Sequence, residues 1–143
     1  MTDISVQSQP FQFEDLSWDL TPVDGGFVIS GVLDTSLLTQ AQHYPNGYVK
    51  SGFVLGKVTS GGLLGPYLDA ASDGRTKAIG ILRASIRVVR FGDGSLIPKV
   101  GVSALVHGKV DPTKLPYTSG GAAAGGYLDA NGQADLPLIY FGA

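Results

Sequence analysis

Cysteine is absent from the chain, and that one absence removes disulfides, thiolate metal sites and thiol nucleophiles together. It fits folding in a reducing cytoplasm. Charge is scarce as well: Asp, Glu, Lys and Arg make up 15% of the residues, against about 25% in an average soluble domain. A formal net charge of −2 supplies no basic field, and nucleic acid is held chiefly by neutralising several phosphates with Lys and Arg, so nucleic-acid binding is not expected. No apolar run approaches the ~20 residues that cross a bilayer as a helix. The opening MTDISVQSQP has neither a basic n-region nor an apolar h-region. The expectation is a protein that is not membrane-embedded and not exported by that route.

What the chain has in quantity is glycine and apolar residues. The 143 residues suit one domain and include 43% hydrophobic residues; a domain near this size buries roughly 68–70% of its unfolded surface. The 21 glycines and 8 prolines cut the apolar residues into short runs, the pattern of many strands joined by many turns. The fold expected is mainly β: a small Gly-rich barrel-like or sandwich-like domain with at most one or two short helices and an extended N-terminal arm.

Residues 1–10 are polar apart from Ile4 and Val6, and Pro10 interrupts any regular element. An arm over residues 1–20 and a single domain over 21–143 are therefore expected. In FQFEDLSWDL, Phe11 and Phe13 share one parity while Leu16, Trp18 and Leu20 share the other, so a turn or bulge near Glu14–Asp15 is needed to bring them to one face. The run Phe27 to Leu33 reads as β, and Asp34 reads as the cap of a short helical turn. Further strands are expected at 54–59, 63–68 and 77–82, with turns at Pro45-Asn46-Gly47, Ser60-Gly61-Gly62 and Asp73-Gly74. Gly92-Asp93-Gly94 separates ASIRVVRF from LIPKVGVSALV as the loop of an antiparallel hairpin, with Pro98 at an edge or bulge. TSGGAAAGG at 118–126 offers almost no side chain to bury and reads as a flexible loop. LPLIYF reads as a core or edge strand near the C-terminus.

The tests for chemistry find little. Gly52 to Lys57 is one residue short of a phosphate loop and continues with Val58. His43 and His107 have no companion at metal-ligand spacing, and no Gly-x-Ser-x-Gly elbow is present. Asp129, Asn131 and Asp135 gather around a glycine, but the twelve-position calcium loop is missing and an Asn-Gly turn is the simpler account. Arg87 and Arg90 have opposite parity in one predicted strand, which favours solvated or intersubunit charge pairs over a nucleic-acid patch. YLDA occurs at 67–70 and again at 127–130, without a sustained period that would make it a structural repeat. No enzyme, no cofactor and no small-molecule substrate is expected.

The middle of the chain resembles the lambda-type head decoration family of tailed bacteriophages. The resemblance lies in VLGKVT at 54–59 and PYLDAASDGRTKAIGIL at 66–82, with VGVSALVHGKV at 100–110 similar to the family's next strand. Gly56, Lys57, Asp73, Gly74 and Gly80 are the turn and strand residues that carry it. The resemblance covers roughly a third of the chain, and the Arg-rich strand at 83–90, the 118–126 loop and the long N-terminal region depart from the pattern. It implies a β-rich capsid-stabilising protein of the virion, usually a homotrimer, on the outer surface of the expanded head at local three-fold positions, where it clamps the major capsid protein. On that reading Ile4, Val6, Phe11 and Phe13 are candidate capsid contacts of an arm that adds as a strand to a capsid subunit. Two rivals keep the same β-rich fold: a tail or fibre domain, and a carbohydrate-binding module using Trp18, Tyr44, Tyr48 and Tyr117 as stacking platforms.

Overall fold

The computed structural model describes residues 14–22, 26–90, 92–117 and 125–142. It is mainly β, with eight strands and two short α-helices. The strands are β1 (Phe27–Asp34), β2 (Tyr48–Val49), β3 (Val54–Lys57), β4 (Leu64–Pro66), β5 (Ala78–Leu82), β6 (Ile86–Arg87), β7 (Lys99–Val110) and β8 (Ile139–Phe141); the helices are α1 (Gln40–His43) and α2 (Ala130–Asp135).

β7 organises the fold. It runs antiparallel to β1 from Phe27↔His107 to Asp34↔Lys99, antiparallel to β5 at Ile81↔Leu105, and parallel to β8 at Gly108↔Ile139. β5 pairs with β3, β3 with β4, and β4 returns to β1 through the single parallel register Leu33↔Leu64. The pairings thus run full circle in a small sandwich-like body. β2 and β6 form a separate two-stranded ribbon.

Period-2 alternation divides the interior in two. Val54, Ile81 and Leu105, which are register partners across β3, β5 and β7, point into a cluster with Trp18, Tyr67 and Leu136; Leu55, Leu82 and Ala104 point the other way, into a cluster with Leu33, Phe53 and Val102. The central strands are buried on both faces, which is why their sequences are apolar at both parities.

The capping and turn chemistry follows from the side chains. The Asp34 carboxylate accepts from the Ser36 amide at 3.0 Å and starts a 3-10 turn over Thr35–Leu37. The 92–94 loop joins a narrow hairpin, with Val89 bridged to Leu96 and the Arg90 amide bonded to the Ser95 carbonyl, although most of β7's pairing goes to β1 and β5. The expected Asn131-Gly132 turn is instead part of α2, because Asp129 caps that helix by accepting from the Gly132 amide at 2.7 Å.

The expected arm over 1–20 divides. Residues 1–13, with Ile4, Val6, Phe11 and Phe13, lie outside the described residues, whereas 14–20 lie against the body. Trp18 is fully buried, its carbonyl accepts from the Asp111 amide, and the Leu20 amide donates to the Lys109 carbonyl. The turn expected near Glu14–Asp15 is an Asx turn, with the Ser17 amide on the Asp15 carboxylate. The flexible loop expected at 118–126 lies outside the described residues as far as 124. Gly125 and Gly126, however, are buried: the Gly126 amide donates to Tyr67 and its carbonyl accepts from Val54. Gly126 has φ +85, and a Cβ there would overlap the Phe53 ring. Its lack of a side chain is what lets the backbone join the core.

Candidate interaction surface

β1 meets β7 along its whole length, yet Phe27 is 60% exposed, and Val28, Ile29 and Val32 are each about 40% exposed. No charged residue occurs in β1 before Asp34, nor between Val100 and Val106 opposite. Among the described residues no strand pairs with the other edge of β1 between Phe27 and Val32. Uncharged and open-edged strands of this kind are what proteins normally cover or interrupt with charge.

At Phe27 this ribbon reaches His107, its register partner, and His107 lines an open cleft of about 770 Å³ with Pro22, Pro137, Leu138 and Tyr140. Leu138 and Tyr140 are more than 60% exposed, and the Lys109 ammonium lies 5.8 Å from the Tyr140 ring centre, over its face. The exposed strand and the cleft are thus joined through the Phe27–His107 pair. Sequence reading overlooked it because FVISGVL is as free of charge as the buried β5; nothing in one dimension separates a strand buried by its own chain from one left exposed.

The segments that carry the family resemblance come together in space. β3 ends in Gly56-Lys57 beside the Asp73-Gly74 turn, whose Asp73 carbonyl accepts from the Thr59 amide. Gly74 has φ +109, and a Cβ would collide with Thr59. Asp73 is paired with the Arg75 guanidinium at 2.9 Å, and these hydrogen bonds hold its carboxyl below the usual carboxylate range. Gly56 packs on the Arg75 backbone, and Gly80 sits opposite Leu55, against Ala104 and Leu105. These five residues lie where β3, the 73–74 turn and β5 meet.

The polar clusters are structural. Tyr67 donates to the Asp129 carboxylate at 2.8 Å and Asn131 donates to Asp69, so the two YLDA segments touch, but in different roles. Burial, reinforced by Asp129, pushes the Tyr67 phenol up. Asp135 accepts from the Ala78 amide at 3.0 Å and ties α2 to β5. His43 is buried in α1; its Nδ1 accepts from the Thr39 amide and its Nε2 faces the Gly125 carbonyl at 3.0 Å. Burial lowers its pKa below the ordinary histidine value. Tyr117, packed edge-on to Phe53, donates to the His43 carbonyl and accepts from the Lys50 amide, and burial pushes its phenol up to about 12. His107 lies in β7, as a strand histidine should.

Arg83 pairs with Asp19 at 3.4 Å, Arg87 stacks on Tyr48, and Arg90 donates to Ser95. Among the described residues no three His, Cys, Asp or Glu side chains converge as a metal site, and no helix is long and apolar enough to cross a membrane. No protein-family model matches the chain, and no curated protein matches it either.

Proposed function

We propose that this chain is a structural, non-enzymatic virion protein that decorates and stabilises the expanded head of a tailed bacteriophage. It acts as a homotrimer on the outer surface and clamps neighbouring subunits of the major capsid protein. The N-terminal segment, residues 2–13, is part of the proposal as an arm toward the shell. The geometric observation that carries the reading is the uncharged, open-edged strand β1, whose first residue Phe27 pairs with His107 of the Leu138–Tyr140 cleft. Such a surface suits assembly rather than catalysis. The particular assembly comes from the resemblance at 54–59 and 66–82. Binding the expanded shell but not its separated subunits stabilises the shell by mass action, and many symmetric sites multiply a modest affinity.

The sugar-binding alternative is weakened by its own residues: Trp18 is fully buried and Tyr44 is 9% exposed, so neither offers a stacking face. Co-sedimentation with expanded and unexpanded empty heads of the phage that encodes the chain tests the proposal. Saturable binding to expanded heads alone is the expected result; no binding to either overturns it.

A further inference from the structure

Parity in one continuous strand puts Arg87 and Arg90 on opposite sides, but the fold gives them a common cavity. β6 ends at Arg87. At Val88 the backbone changes partner, its amide donating to the Gly47 carbonyl and its carbonyl accepting from the Ile97 amide, so the alternation of β6 does not carry through to Arg90. Both arginines line a depression of about 310 Å³ together with Gln40, Asn46, Gly92 and Gly94. None of its described lining residues is acidic. Asp93, between the two glycines in sequence, gives its carboxylate to the Ser95 amide at 3.0 Å and the Ser95 hydroxyl at 2.9 Å, and makes no ion pair with Arg90.

The two guanidinium groups are held in place by the protein. Arg87 lies over the Tyr48 ring, 5.3 Å from its centre; its Nε donates to the Val89 carbonyl at 2.8 Å and its Nη1 to the Tyr48 hydroxyl at 3.1 Å. Arg90 donates through Nη1 to the Ser95 hydroxyl at 3.0 Å and the Leu96 carbonyl at 3.3 Å. Its Nε and Nη2 make no hydrogen bond among the described residues. The opposite wall is fixed as well: Gly47 has φ +82 and packs so closely on Val89 that a Cβ would overlap it. Gly92 and Gly94 also have positive φ, yet a Cβ at either would meet nothing within 4 Å. They serve the turn and leave the mouth of the pocket open.

A guanidinium is a planar fork of donors that matches a pair of oxygens on one anion. Two such forks facing one small cavity repel each other, and an anion between them removes that repulsion. We propose that this pocket binds a single oxyanion group, a carboxylate or a phosphate, between Arg87 and Arg90, with the Gln40 and Asn46 carboxamides as further donors. The inference is independent of the capsid reading.

Titration of the full chain at low ionic strength and pH 7, followed through the arginine Nε–H resonances by NMR, tests it with two probes: inorganic phosphate and a blocked Gly-Glu-Gly peptide. Saturable shifts of the Arg87 and Arg90 signals at low-millimolar probe are expected. Tighter binding of phosphate assigns a free anion to the pocket, and tighter binding of the peptide assigns an acidic side chain of a neighbouring protein. Arg90→Gln should weaken the better probe about tenfold or more, through loss of charge-assisted hydrogen bonds, while Lys114→Gln, the same charge change outside the pocket, should leave it unchanged. Should Arg90→Gln disturb the hairpin, Arg87→Lys replaces it, keeping the charge and losing the fork; several-fold weaker binding is expected. No saturable shift with either probe, or equal weakening by Arg90→Gln and Lys114→Gln, overturns the proposal, as does undiminished binding in the variant used.

Discussion

Trp18 is the residue whose removal most directly tests where the body of this protein begins. It is the only tryptophan of the chain and is fully buried with Val110, Leu115 and Ile139; its indole N–H donates at 3.0 Å to Ser51, which passes the chain of bonds to the Arg83 carbonyl at 2.7 Å. Trp18→Ala should cost about 3–5 kcal/mol, from lost transfer energy plus the cavity left behind. At this chain length that is a fall in Tm of roughly 10–20 °C. Ser51→Ala should cost less, about 1–3 kcal/mol, because the indole remains but its buried N–H loses its acceptor. In a Trp18→Phe background, which has no such donor, the Ser51→Ala cost should shrink, and the difference is the coupling energy of the pair. Urea unfolding followed by circular dichroism measures the parent and all four variants, since the tryptophan signal is lost in three of them. A loss below about 1 kcal/mol for Trp18→Ala would refute the reasoning: residues 14–20 would then be an arm that merely rests on the domain.

Other expectations follow from the same contacts. Gly126→Ala should destabilise by about 2–5 kcal/mol, since it combines a left-handed backbone with overlap against the Phe53 ring; thermal denaturation checks it, and an unchanged Tm contradicts it. Asp135→Ala should cost about 1–3 kcal/mol by leaving the buried Ala78 amide without its acceptor, with amide exchange at Ala78 accelerated. His43 carries a pH signature. Its folded pKa lies below its ordinary value of 6.5, so the unfolded chain binds the proton more readily; its contribution is intact above that value and is lost as pH falls through the folded pKa. Melting temperatures from pH 8 to 5 should fall on this account, and His43→Gln should flatten the profile.

Much of the β framework is legible in the sequence, because turn chemistry is local. Asp73-Gly74, Gly92-Asp93-Gly94 and the Asp34 cap each act within a few residues, and each stands where expected. Misreadings occur where distant residues decide. Asn131-Gly132 resembles a turn, but Asp129 caps a helix whose Asp135 is wanted by β5. Gly125-Gly126 reads as slack chain, but Tyr67 and Val54 take up its backbone. Trp18 looks like part of an arm until Ser51 and Asp111 are brought beside it by the fold. The exposed β1 surface is illegible for the same reason, since exposure belongs to the assembled sheet rather than to FVISGVL.

The long strand β7 also sets a timetable for folding. β1 has almost no partner of its own until β7 exists, and its first residue, Phe27, pairs with His107, far along the chain. A growing polypeptide therefore carries an uncharged, aggregation-prone strand while residues 35–98 are made, before that strand can be paired, and contacts of such sequence separation form slowly. Once β7 arrives it engages β1, β5 and β8 and bridges to Asp19. Release of β7 would dismantle the whole sheet, so its central amides should exchange with solvent only through global unfolding.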